Sequence, residues 1–124
     1  MKDIENREDI MLLVNTFYDK VQNTKELSYF FNDIAQLNWQ EHLPKMYDFW
    51  ETILFHKQVY KGNPMVKHVK LHKIASLKSE NFDTWLVLFK STVDELFSGE
   101  YALKIKTRAT SIATAIQLNT VYQK

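Results

Sequence analysis

Two glycines and two prolines are all that this chain of 124 residues has for punctuation. An all-β domain needs turn signals about every 8–12 residues, so so sparse a supply disfavours one. Long helices need few breaks, and the apolar residues fall where helices want them. Ile10, Leu13, Val14, Phe17, Tyr18 and Val21 recur at spacings of three and four and predict a helix over 8–22. Leu27-Ser28-Tyr29-Phe30-Phe31 reads as a short aromatic turn or a single helical turn, ended by Asn32-Asp33.

Asn38 followed three residues later by Glu41 has the form of a capping box. The helix it opens reaches residue 55, with Trp39, His42, Leu43, Met46, Phe49, Trp50 and Ile53 as the inner stripe. Pro44 removes a backbone donor inside this stretch, so the regular helix is expected to start only near Leu43. Residues 55–62 form a loop containing Tyr60. Gly62 and Asn63 break the chain, Pro64 suits a first helical position, and Asn63 can cap the helix that carries His68. Residues 75–81 read as a polar loop. Phe82, Trp85, Leu86, Phe89, Val93, Leu96 and Phe97 predict a helix over 82–97 that Gly99 stops. Ala102, Ile105, Ala109, Ile112, Ala113 and Ile116 line the inner face of a last helix over 101–122. Four long helices and a short one make an all-α sandwich in one domain, residues 1–124.

Composition removes several classes of function. There is no cysteine, so disulfides, iron–sulfur clusters and thiol catalysis are out. The formal net charge of +1 makes no electrostatic case for nucleic acid or an anionic membrane. The charged amino terminus has no apolar signal core, and no apolar run approaches the roughly 20 residues of a membrane helix. A soluble cytoplasmic protein is expected.

The inner faces carry polar residues that a plain core does not need. Tyr18, His42 and Trp85 each want a hydrogen-bond partner inside. Each also has a bland account, as a core or boundary side chain bonded to a neighbouring group. Phe31 is explained equally by aromatic packing or by a wedge against a flat ligand. His68 is either a half-buried surface histidine or a metal ligand on a short stiff mount. His68 and His72 have the spacing of a zinc pair, but no convincing third and fourth ligand accompanies them. Large hydrophobes mixed with one Tyr, two His and one Trp suit a flat apolar cofactor with a metal at its centre.

The residues that carry a resemblance are now in view. They are Phe17-Tyr18 with Val21, Phe30-Phe31-Asn32, Trp39, His42-Leu43-Pro44-Lys45-Met46, Asp48-Phe49-Trp50, Tyr60, Gly62-Asn63-Pro64-Met65, His68, Phe82-Asp83, Trp85-Leu86, Phe89, Arg108-Ala109 and Ile112-Ala113. This pattern, over nearly the whole chain, resembles the third group of truncated haemoglobins. The resemblance implies a truncated globin fold, a two-over-two helical sandwich around haem b. It makes His68 the iron ligand, with its other ring nitrogen donating to a carbonyl one turn earlier, near Pro64. It puts Phe31, Met46, Trp50 and Tyr60 among the haem contacts and Tyr18, His42 and Trp85 in the distal, ligand-binding pocket. Lys67 and Tyr60 are candidates for the haem propionates. The segment Val69-Lys70-Leu71-His72-Lys73 departs from the pattern in being unusually basic.

Three classes of function follow. The first is a haem protein that binds dioxygen, carbon monoxide or nitric oxide. The second is a haem enzyme acting on nitric oxide or peroxide, served by an unidentified reductase. The third is a cofactor-free helical interaction module.

Overall fold

The computed structural model describes residues 1–122, and among them every regular element is helical. In chain order these are α1 (Arg7–Gln22), α2 (Lys25–Ser28), a π-helical turn (Tyr29–Ile34), α3 (Trp39–Phe55), α4 (Pro64–Ile74), α5 (Ser79–Leu96) and α6 (Glu100–Leu118). Helix α1 packs on α3 and α5, α5 packs on α6, and α3 closes against α6. This is the all-α, two-over-two sandwich that the resemblance implies. Helix α4 stands apart, touching α6 and the π-helical turn and burying no residue fully. No described helix is long and apolar enough to cross a membrane.

The stripe on α1 is buried as its spacing predicts, with Phe17 packed edge-on against Phe89 at 5.1 Å between centroids. Several boundaries move. The aromatic turn at 27–31 does not end at Asn32-Asp33; it runs on as a π-helix to Ile34. Helix α3 is regular from Trp39 and carries Pro44 as its sixth residue; the donor that Pro44 lacks would have gone to the carbonyl of Gln40, an exposed residue that water can serve instead. The Asn38 side chain caps it by accepting from the Gln40 N–H at 3.0 Å. Helix α5 begins at Ser79, three residues early, and α6 ends at Leu118, four residues early. The 75–81 loop is shorter and less polar than expected, since Leu77 is buried.

Gly99 does more than end a helix. Its φ of 138° is open to glycine, and it stands where α6 needs an amino-terminal cap. Having no side chain, it leaves that role to Asp3, whose carboxylate accepts from the Tyr101 and Ala102 N–H groups at 2.9 Å each. A Cβ on Gly99 would meet the Asp3 carboxyl carbon at 2.6 Å. The first residues of the chain therefore cap its last helix, a contact of about 1 kcal/mol that an alanine at position 3 forfeits.

On α3 the deepest residues are Tyr47, Trp50, Glu51 and Leu54, rotated from the stripe read in the sequence. Glu51 is a buried charge held by Arg7 at 3.1 Å, and Arg7 also reaches Asp48 at 2.9 Å. The predicted stripe of His42, Met46 and Phe49 is only half-buried because it faces a cavity rather than a neighbouring helix.

Candidate functional site

A cavity of about 350 Å³ opens between α3, α4 and α5, and it gathers every site residue expected from the sequence. Tyr18 comes from α1, Phe31 from the π-helical turn, His42, Met46 and Trp50 from α3, Tyr60 from the following loop, His68 from α4 and Trp85 from α5. The surroundings are mostly apolar, so each polar group in the wall is conspicuous.

His68 is mounted as its sequence context predicts. Asn63 caps α4, accepting from the Val66 N–H at 3.2 Å, and Pro64 takes the first helical position. One turn on, the His68 Nδ1 lies 2.6 Å from the Pro64 carbonyl. A carbonyl only accepts, so Nδ1 carries the proton and Nε2 is left bare. Burial, aided by the nearby Lys67 charge and opposed by the Pro64 carbonyl, lowers the imidazole pKa. A neutral ring with a fixed orientation and a bare nitrogen is what a metal requires of a histidine. His72 has other work: its Nδ1 accepts the Leu77 N–H at 2.9 Å, closing the turn after α4. That bond occupies one ring nitrogen of the supposed zinc pair, and no cluster of three metal-ligating side chains exists among the described residues.

Tyr18, Trp39 and His42 pack ring against ring, with Tyr18 5.4 Å from Trp39 and 5.5 Å from His42 between centroids. Phe31 joins them at 5.9 Å from Tyr18. Burial raises the Tyr18 pKa, so its hydroxyl keeps its proton and stays a donor. Burial chiefly, then the charges of Lys67 and Lys45, pushes His42 down to about 4. Its Nε2 is buried without a partner among the described residues, and so is the Tyr60 hydroxyl. Trp85 is half-buried rather than buried, because its indole borders the cavity. It stacks on Phe89 at 5.4 Å and 7°, and Phe89 stacks in turn on Trp50 at 5.0 Å.

A protein-family model described as bacterial-like globin matches residues 2–117. A group 3 truncated haemoglobin of Campylobacter jejuni is 33% identical over 121 residues, which is 95% of this chain and 92% of the relative. The chain belongs to the group III truncated haemoglobins. The crystal structure of a group III truncated haemoglobin from Campylobacter jejuni matches this fold with a TM-score of 0.86 at 31% identity, over 100% of this chain and 99% of that one. The chain is thus a haem globin, and the cofactor-free reading falls away.

The cavity suits that group. It is largely apolar, it presents one oriented neutral histidine, and it holds two buried polar atoms with no partner among the described residues. Sequence reasoning missed part of this globin's wall: Leu27, Phe30, Leu71, Leu77, Ile112 and Ile116 also line it. Phe30 was legible beside Phe31, whereas Leu77 sits in a stretch too short for periodicity to speak.

The depressed His42 pKa has a measurable consequence for the haem-free globin. Unfolded histidine binds its proton near pH 6.5, but the folded state resists until about 4. The unfolded state therefore holds more protons, and stability falls as pH drops from about 6.5 towards 4. Urea midpoints at pH 7 and pH 4.5 are expected to differ less in His42→Phe than in the parent.

Proposed function

We propose that this globin is a cytoplasmic haem b protein, one domain over residues 1–124, with His68 as the sole protein ligand to ferrous iron. The ligand pocket proposed is lined by Tyr18, His42 and Trp85, with Phe31, Met46, Trp50 and Tyr60 against the porphyrin. The observation that carries this reading is the His68–Pro64 bond, which leaves the histidine neutral, oriented and bare at one nitrogen on the wall of a largely apolar cavity. When bound, the haem supplies an iron with an open position for dioxygen, carbon monoxide or nitric oxide. The protein's own part is to hold the iron through one imidazole, exclude water with apolar walls and aim polar hydrogens at the ligand. Tyr18 donates from a phenol kept protonated by burial, and Trp85 donates from its indole. His42, neutral at physiological pH, donates with one nitrogen or holds a water with the other. Haemin titration is expected to saturate at one per chain and to give a ferrous carbon monoxide spectrum. Failure to take up haemin overturns the proposal.

The same donors favour a second reading over bulk oxygen delivery. A delivery protein must let go of its ligand, whereas several donors around one small molecule retain it and can stabilise charge developing on oxygen. Chemistry on nitric oxide or peroxide is the role this arrangement supports best. Stopped-flow mixing of the oxygenated protein with nitric oxide, and of the ferric protein with peroxide, is expected to show rapid reaction in at least one case. Slow reaction in both, with fast dioxygen release, points to storage or sensing instead.

A further inference from the structure

The net charge of +1 conceals a strongly divided molecule. Residues 56–78 hold six of the 16 basic residues and none of the 15 acidic ones, so this stretch carries +6 and the remainder −5. Lys57, Lys61, Lys67, Lys70, Lys73 and Lys78 are all exposed. Elsewhere Lys2, Lys20, Lys106 and Arg7 each find a carboxylate at 2.7–3.5 Å. Of the six, only Lys57 has one within 4 Å among the described residues, Glu51 at 3.8 Å. Six lysines have thus been collected on one segment with almost no internal neutralisation, a cost in self-repulsion that folding does not explain.

The location gives the segment a use. Tyr60, Pro64, Lys67, His68, Leu71 and Leu77 belong to the same stretch and line the haem cavity. Lys45, exposed on α3, adds a further charge at the cavity, and both it and Lys67 bear on His42. The basic surface and the wall of the site are one piece of chain. A globin that works from the ferrous state must be re-reduced whenever its iron is oxidised. These 124 residues contain no cysteine, and so no thiol to supply that electron.

We propose that residues 56–78, with Lys45, form a docking surface for an acidic electron-carrying protein that delivers one electron to the haem from the α4 side. This rests on the haem reading above. In the step the carrier loses one electron and ferric iron becomes ferrous, with no bond made or broken. With Lys45 counted in the patch, the remainder carries −6 and repels the same carrier, so the charge division orients the encounter as well as attracting it. An anionic membrane is the less suitable partner, since only Val59, Val66 and Ile74 among the stretch's large apolar side chains are exposed, which is little to anchor in lipid.

The test uses reduced flavodoxin, an acidic flavoprotein, as the probe. In Lys61→Glu/Lys70→Glu/Lys73→Glu the stretch falls from +6 to neutral. These side chains are exposed and make no bond among the described residues, so the fold and Soret spectrum should persist. At low ionic strength, reduction of the ferric globin by flavodoxin is expected to slow by about tenfold or more, and the difference to vanish at high salt. Photoreduced lumiflavin, small and neutral, is expected to reduce both proteins equally. Calorimetric binding of oxidised flavodoxin should weaken in parallel, and it is measurable with or without haem. Equal slowing by Lys25→Glu/Lys90→Glu/Lys106→Glu would overturn the proposal in favour of net charge alone. So would salt-independent reduction, or patch-dependent binding to phosphatidylserine vesicles without binding to flavodoxin. A chain that binds flavodoxin through the stretch but takes up no haemin sinks the haem reading and leaves the docking surface standing.

Discussion

His68→Ala is expected to abolish the ferrous histidine–iron stretch in the Raman spectrum and to release haem, while His72→Ala does neither. The two histidines sit on one helix a single turn apart, and spacing alone does not choose between them. Their hydrogen bonds do. His68 gives its Nδ1 proton to the Pro64 carbonyl and leaves Nε2 bare beside the cavity. His72 has its Nδ1 engaged as an acceptor from Leu77. Because that N–H belongs to a buried residue, His72→Ala should cost about 1–3 kcal/mol of stability in urea unfolding and leave the haem spectrum unchanged. The two substitutions therefore separate ligand from scaffold, and a His72→Ala protein that loses the stretch would reverse the assignment.

The contrast also marks what could be read in the sequence. The α4 mount was legible because capping chemistry is local: Asn63, Pro64 and His68 act within one turn, and the expected carbonyl partner is found. The α1 stripe was legible because that helix is buried along one face by its neighbours. Helix α3 was harder because it has two inward faces. One, with Tyr47, Glu51 and Leu54, packs against protein, while the other, with His42, Met46 and Phe49, borders a cavity. The periodicity in the sequence followed the cavity wall rather than the face packed on protein. Trp85 was misjudged for the same reason. Glu51 escaped notice because its partner, Arg7, lies 44 positions away, beyond any local signal. Asp3 capping α6 is the same kind of case, a contact fixed by topology and invisible to spacing.

Tyr18→Phe and Trp85→Phe are each expected to speed dioxygen release by about ten- to hundredfold, with a smaller effect on carbon monoxide. Neither the Tyr18 hydroxyl nor the Trp85 indole nitrogen is engaged by a protein acceptor among the described residues, although both side chains line the cavity. Their protons are thus free for a ligand. A hydrogen bond to a charge-bearing acceptor contributes about 1.5–3 kcal/mol, and every 1.4 kcal/mol is about tenfold in a dissociation constant. Dioxygen held by a ferrous haem would carry negative charge on its outer atom and would gain that energy from the Tyr18 or Trp85 donor. Carbon monoxide carries less charge there and gains less from the same donor. Sterics follow a different rule, since a wider pocket frees both ligands alike. Phenylalanine at position 18 removes only the hydroxyl and keeps the ring that packs on Phe17, Phe31, Trp39 and His42. At position 85 the substitution also gives up part of the stack on Phe89, so its carbon monoxide rate is expected to move more than that of Tyr18→Phe. Equal acceleration of both ligands by Tyr18→Phe would show that the phenol fills space rather than donating. The distal role would then pass to His42, whose Nε2 has no partner among the described residues and lies in the same aromatic cluster.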